Sequence, residues 1–209
     1  MIEELIKGFY KFRRKEYEEA GASMPTLVKE GQSPSCFVIS CIDSRSNPGT
    51  IFHAPPGTFF AHKSMGAIIY PYKQGTALAA ALQFALHYNK VKDIIILGHT
   101  GCGAIQALVS GLEDPEISRF IDVAKSGLET AQEKCGAACS EKALLRATEE
   151  QILLESFENI KTYPSVAGAL AEKRVNVRLW LFDMEAGNIL EFDAATQEFA
   201  PVTKETVHG

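Results

Sequence analysis

The sequence predicts an α/β protein, a mostly parallel central sheet flanked by helices, with a helical arm at its N-terminus. Three observations carry this. Residues 36–42 and 93–97 are short apolar runs with little polar alternation, the pattern of strands buried on both faces. Residues 76–89, just ahead of the second run, are rich in alanine and leucine and read as a helix. Strands that alternate with helices pair in parallel through crossovers.

The elements follow in order. In 2–20, Ile2, Leu5, Ile6, Phe9, Tyr10, Phe12 and Tyr17 recur among charges, so an amphipathic helix is expected, with its apolar stripe free to lie on a partner subunit. Gly31-Gln32-Ser33-Pro34-Ser35 breaks the chain before the strand 36–42. A turn at Asn47-Pro48-Gly49 precedes two short strands, 50–52 and 58–62, separated by Pro55-Pro56-Gly57. The helix 76–89 leads into the strand 93–97, then a loop over 98–103 and a helix over 104–110. Helices are expected over 115–130 and 141–162. Strands at 175–182 and 189–192, joined by a turn at 185–188, close the chain. One domain spans 1–209: a helical arm (1–30), a core carrying the chemistry (31–112), and helices with closing strands (113–209).

Composition narrows the class. At 209 residues and 46% hydrophobic, the chain can bury a sizeable core. A net charge of -5 gives no basic footprint for nucleic acid or an anionic membrane. No apolar run reaches membrane-span length, and Met1-Ile2-Glu3-Glu4 lacks a basic leader, so a cytoplasmic protein is expected. Five cysteines, an odd number, argue against a disulfide scaffold.

Two motifs carry the chemistry: Cys41-Ile42-Asp43-Ser44-Arg45 and His99-Thr100-Gly101-Cys102. Each follows an apolar strand, so both belong at the carboxyl edge of the sheet, where sites of open α/β folds form. Cys41, His99 and Cys102 make a set of two thiolates and one imidazole that selects Zn2+, one ion per subunit, and leaves a fourth position for water. If 41–45 is extended, alternation points Cys41, Asp43 and Arg45 the same way. Cys102 falls near a helix N-terminus, which favours its thiolate form. Two thiolates neutralise the metal's charge, so its water needs help: Asp43 is the candidate proton acceptor and Arg45 the cation that keeps it ionised. In an alternative geometry Asp43 takes the fourth metal position itself. The same residues would also suit a zinc-stabilised structural or regulatory protein without turnover.

In this combination the chain resembles the β-class carbonic anhydrases, whose signature is Cys-x-Asp-x-Arg followed downstream by His-x-x-Cys-Gly. The resemblance extends over 31–110 and more loosely to 193. It implies an α/β subunit that forms homodimers, often tetramers, and reversibly hydrates carbon dioxide to bicarbonate and a proton by zinc-bound hydroxide. It also implies three substrate-binding residues of the plant-type branch: Gln32 of Gly31-Gln32-Ser33-Pro34 at a partner's site, Phe60 after Pro56-Gly57, and Phe84 where the family usually has tyrosine. Phe60 and Phe84 suit core packing equally well.

The sequence also departs from that pattern. His62-Lys63-Ser64-Met65-Gly66-Ala67 stands where the family carries an arginine and two asparagines, and Ala104 replaces a glycine. These changes keep open a carbonyl sulfide or carbon disulfide hydrolase on the same scaffold. Val38 stands where some bacterial members have a tryptophan of an inhibitory bicarbonate pocket, so no such pocket is expected. His53, His62 and His87 are possible proton shuttles, with His62 nearest the motifs. Cys36 should face away from Cys41. Cys135 and Cys139, spaced unlike a redox motif or a zinc knuckle, should pack at the surface or at a helix end. The Lys and Glu clusters at 11–19 and 141–150 should be solvated helix faces.

Overall fold

The computed structural model describes residues 1–203, so the last stretch of the expected closing unit, 204–209, lies outside the described residues. Six strands form a sheet in the order β2-β1-β3-β4-β5-β6. They are β1 (Cys36–Ser40), β2 (Phe59–Lys63), β3 (Asp93–His99), β4 (Asn176–Asp183), β5 (Asn188–Asp193) and β6 (Glu198–Pro201). The first four are mutually parallel, and β5 and β6 turn back antiparallel. The α/β architecture with a mostly parallel sheet is therefore as the sequence predicts.

Register places the chemistry. Cys36 sits opposite Asp93 and Ser40 opposite Leu97, so β1 and β3 run level and their following loops leave the same edge. One face of the sheet carries Phe37, Ile39, Ile94, Ile96 and Leu181 into the main core. The other packs Val38, Ile95 and Leu97 against Trp180, Phe182 and Phe52. Cys36 lies with this second face and Cys41 in a separate cluster, so the expected opposition of the two holds.

Helices cover the sheet: α1 (Ile2–Arg13), α2 (Met24–Glu30), α3 (Pro48–Ile51), α4 (Ala77–Gln83), α5 (Gly103–Val109), α6 (Ile117–Ile121), α7 (Lys125–Cys135), α8 (Glu141–Lys161) and α9 (Pro164–Ala171). α1 runs on into a π turn at Arg14–Glu18, and none of its own residues is buried. α4 likewise ends in a π turn, Phe84–Tyr88, within the stretch expected to be one regular helix. No helix among the described residues is long and apolar enough to cross a membrane.

Several expectations are corrected. The strand expected at 50–52 is the short helix α3, because the Asn47 side chain accepts from the Gly49 N–H and Pro48 occupies the first helical position. β3 continues through Gly98 and His99, where a loop was expected, since both residues still pair with β4. The helical stretch starting at 115 breaks at a 3-10 turn, Asp122–Ala124, and its second part runs past Thr130 to Cys135. α9 and β6 have no counterpart in the sequence reading. α9 is only eight residues long and β6 four, too short for periodicity to declare itself. Cys135 ends α7, a helix-end position as expected, but it is also bonded to Cys139 in the turn toward α8, a pairing the sequence reading did not include. Finally, Glu16 and Glu149 are 7% and 2% exposed, so each of the charged clusters expected to be solvated turns one acid inward.

Candidate active site

β1 ends at Ser40, and Cys41 follows it onto the carboxyl edge. The chain then leaves extended geometry. Ser44–Ser46 is a 3-10 turn capped by Asp43, whose carboxylate accepts from the Arg45 N–H at 2.8 Å. Asp43 and Arg45 thus meet through a capped turn, not through the strand alternation expected from the sequence. The guanidinium grips the same carboxylate twice, with Nε 3.1 Å from Oδ1 and Nη2 2.7 Å from Oδ2. This grip holds the Asp43 carboxyl down to about 2.

β3 delivers His99, and Gly101, at φ +64°, makes the tight turn that returns Cys102 as the N-cap of α5. Cys41, His99 and Cys102 are 3%, 2% and 1% exposed. Their ligand atoms lie within 4.8 Å of one another, and the two Sγ atoms are 4.0 Å apart. Two thiolates on a tetrahedral zinc, each 2.3 Å from it, would be about 3.8 Å apart. His99 Nδ1 lies 3.0 Å from the Thr100 carbonyl oxygen, which places the ring proton there and turns the lone pair of Nε2 toward the sulfurs. Nε2 is buried and has no hydrogen-bond partner among the described residues. A buried, unpartnered imidazole nitrogen beside two thiols is the donor set of a zinc ion, and the residues fit one.

Between themselves the two sulfurs share one proton. The hydrogen bond from the Cys102 thiol holds Cys41 down to about 4, and the same bond, with burial behind it, pushes Cys102 up, against the thiolate form expected from its helix N-terminus. Burial opposes a charged His99 ring, but the neighbouring Cys41 sulfur and the Thr100 carbonyl outweigh it and raise its pKa. The backbone N–H groups of Asp43 and Gly66 donate to Cys41 Sγ at 3.4 and 3.3 Å. Asp43 Oδ2 lies 3.9 Å from His99 Nε2, beside the cluster while held by Arg45.

Sequence reasoning missed three contributors. Gly66, at φ +67°, turns its N–H onto Cys41 within the segment that departs from the family pattern. Lys63 of the same segment donates from Nζ to the Cys41 carbonyl at 2.9 Å. Glu149 on α8 accepts from the Cys102 N–H at 2.9 Å, and burial pushes its carboxyl up to about 7. A signal for Glu149 was present: it lies four residues from both Leu145 and Leu153, an acid inside an apolar stripe. Glu149 also lines a cavity of about 630 Å³ shared with Arg45, Thr100, Gly101 and Arg146.

The expected substrate residues are placed less centrally. Phe60 on β2 packs on the main core and meets Phe84 edge-on, with ring centroids 5.9 Å apart. Phe84 is 53% exposed, and Gln32 is exposed in the connection between α2 and β1. His62 is half-buried on β2, where burial lowers its pKa.

Comparison with known proteins places this geometry. The carbonic anhydrase family model matches residues 36–189. Carbonic anhydrase 1 of Escherichia coli O157:H7 is 32% identical, over 96% of this chain and 92% of that one. A carbonic anhydrase of Pseudomonas aeruginosa is 28% identical, over 97% and 93%. Among solved structures, the β-carbonic anhydrase CcaA superposes with a TM-score of 0.87 at 24% identity, covering 97% of this chain and 92% of that one. A tetrameric β-carbonic anhydrase from Sordaria macrospora gives a TM-score of 0.80 at 23% identity, covering 92% and 95%. With the family matched across most of its length and its fold shared with these structures, the chain belongs to the β-class carbonic anhydrases.

Proposed function

We propose that this protein catalyses the zinc-dependent, reversible hydration of carbon dioxide to bicarbonate and a proton. The observation that carries the reading is the convergence of Cys41, Cys102 and the unpartnered Nε2 of His99 within 4.8 Å. These three residues would hold the ion. When bound, zinc supplies the Lewis acidity that makes water nucleophilic near neutral pH. Asp43 accepts the hydrogen bond of the attacking water and orients it. Arg45 keeps that carboxylate ionised and engages both of its oxygens, which would favour an open fourth position over Asp43 as a ligand. Phe60 and Phe84 offer an apolar wall for a small uncharged substrate, and Gln32, presented to a second copy, offers an amide donor to a substrate oxygen.

The assembly is proposed to be a homodimer or a larger homo-oligomer. Support comes from the exposed apolar side chains of α1 and from the tetrameric relative of the same fold. A reducing compartment such as the cytoplasm keeps Cys41 and Cys102 available as thiolates. The Cys135–Cys139 bond spans a single turn and is no scaffold disulfide.

The test is stopped-flow carbon dioxide hydration against pH, on protein of measured zinc content. Hydration that scales with zinc, at one ion per chain, is expected. Stoichiometric zinc with no hydration from neutral to alkaline pH would overturn the proposal.

A further inference from the structure

The three candidate zinc donors follow β1, end β3 and cap α5, and the turn from β3 to α5 is held by a helix far away in sequence. α8 lies along the sheet with Glu149, Leu153, Ser156 and Ile160 buried on one face. Leu153 packs directly on Gly98, where a Cβ would come within 2.9 Å of its methyl carbons. Ser156 accepts from the Ile69 N–H at 3.1 Å and donates to the Ala67 carbonyl at 3.2 Å. These contacts clamp α8 beside β3 and beside the segment that touches Cys41. One turn earlier on the same face, Glu149 reaches the Cys102 N–H.

The turn it reaches is tied at both ends, and the Cys102 carbonyl accepts from the Gln106 N–H at 2.9 Å, but Glu149 takes the Cys102 N–H itself. Thr100 is tied to β4 by its N–H to the Phe182 carbonyl at 3.0 Å and by the Met184 N–H to its hydroxyl oxygen at 2.9 Å. Beyond Gly101, the N–H of Cys102 stands at a helix cap, outside the ladder of α5, and is buried. Without Glu149 that donor would lose its partner and Cys102 the contact that sets its backbone. A carboxylate 2% exposed behind two thiolates is an unfavourable place for negative charge, and an apolar residue would continue the stripe at lower cost. What the carboxylate provides is a strong, directional acceptor at the backbone of a ligand residue.

We propose that Glu149 is a positioning residue for the metal: by holding the Cys102 backbone it presets the sulfur for zinc. This rests on the zinc reading given above. The test measures zinc affinity by competition with a chromogenic chelator, and the thiolate-to-metal charge-transfer spectrum after cobalt loading. Glu149→Ala is expected to weaken zinc binding by roughly 10- to 100-fold and to shift the cobalt spectrum. Glu149→Gln keeps an oxygen in place for the same N–H and is expected to hold both near wild-type values, whereas Glu149→Met, which fills the same space without an acceptor, is expected to lose them as the alanine variant does. Should the alanine variant fail to fold, Glu149→Asp keeps the charge but shortens the reach, and a similar loss of zinc affinity is expected.

A folded Ala or Asp variant with wild-type zinc affinity and an unchanged cobalt spectrum would overturn the role of Glu149 alone. So would a Gln variant as weak as the Ala variant. Wild-type protein that takes up no zinc would instead overturn the zinc reading, and this inference with it.

Discussion

At the scale of single residues, the proposed site separates three groups that would hold the metal from a group that would act beside it. Cys41→Ala or His99→Ala removes one of only three donors, so zinc content is expected to fall toward zero by metal analysis after dialysis. Asp43→Asn is different. The amide keeps the shape but loses the charge that accepts the water's hydrogen bond, so zinc is expected to stay while the hydration rate drops by about a hundredfold or more. Because Arg45 holds the Asp43 carboxyl near 2, far below neutrality, any inflection in the rate between pH 6 and 9 belongs to another group. The inflection is therefore expected to survive in Asp43→Asn at reduced amplitude, and its disappearance would contradict that assignment. The same depression has a sign for stability. It favours the fold above the ordinary carboxylate range, and the benefit is lost as the pH falls toward 2. The convergence of Cys41, His99 and Cys102 was legible because cysteine and histidine are scarce in the chain and these three follow two apolar strands. Glu149 was harder to find, since its place between Leu145 and Leu153 marks an inward-facing acid but not the Cys102 N–H that it meets.

At the scale of elements, the strands that matter were legible and their limits were not. The apolar runs of β1 and β3 showed where a parallel sheet must lie, but not that β3 carries on through Gly98 to His99. That extension depends on a distant partner: Gly98 has no side chain, so Leu153 of α8 can lie flat on the strand. Gly98→Ala would drive a methyl group to 2.9 Å from a Leu153 side chain that is 1% exposed. The clash is expected to cost about 1–3 kcal/mol by urea denaturation. Leu153→Ala alone should cost about 2–5 kcal/mol through the cavity it leaves. Combined, the new methyl fills part of that cavity, so the double variant should be more stable than the sum of the two losses. Strict additivity would mean that the two residues do not meet as described. α3 was missed for a related reason, because its β-branched Thr50 and Ile51 suggest a strand while the Asn47 cap and Pro48 decide for helix.

At the scale of the whole molecule, the chain presents more apolar surface than its core explains. Ile2, Leu5, Phe9 and Tyr10 are 74%, 72%, 56% and 59% exposed along α1, and Phe84 and Tyr88 stand out from the turn after α4. The sequence showed the stripe of α1 but not its occupant, because a stripe records only that some apolar surface must meet it. Apolar side chains gathered on one element mark an interaction site, and a second copy is the occupant proposed above. The test follows from where the chemistry resides. All three proposed metal donors come from one chain, whereas Gln32 is proposed to serve the neighbouring one. Phe9→Glu together with Ile6→Glu puts two charges on the stripe without touching the core. Sedimentation velocity is expected to show the oligomer weakened by roughly a hundredfold or more, the scale of losing hot-spot side chains. Zinc content should hold at one per chain while carbon dioxide hydration falls, since each site then lacks its neighbour's amide. Unchanged sedimentation would remove α1 from the interface, and a monomer of full activity would place Gln32 outside the reaction.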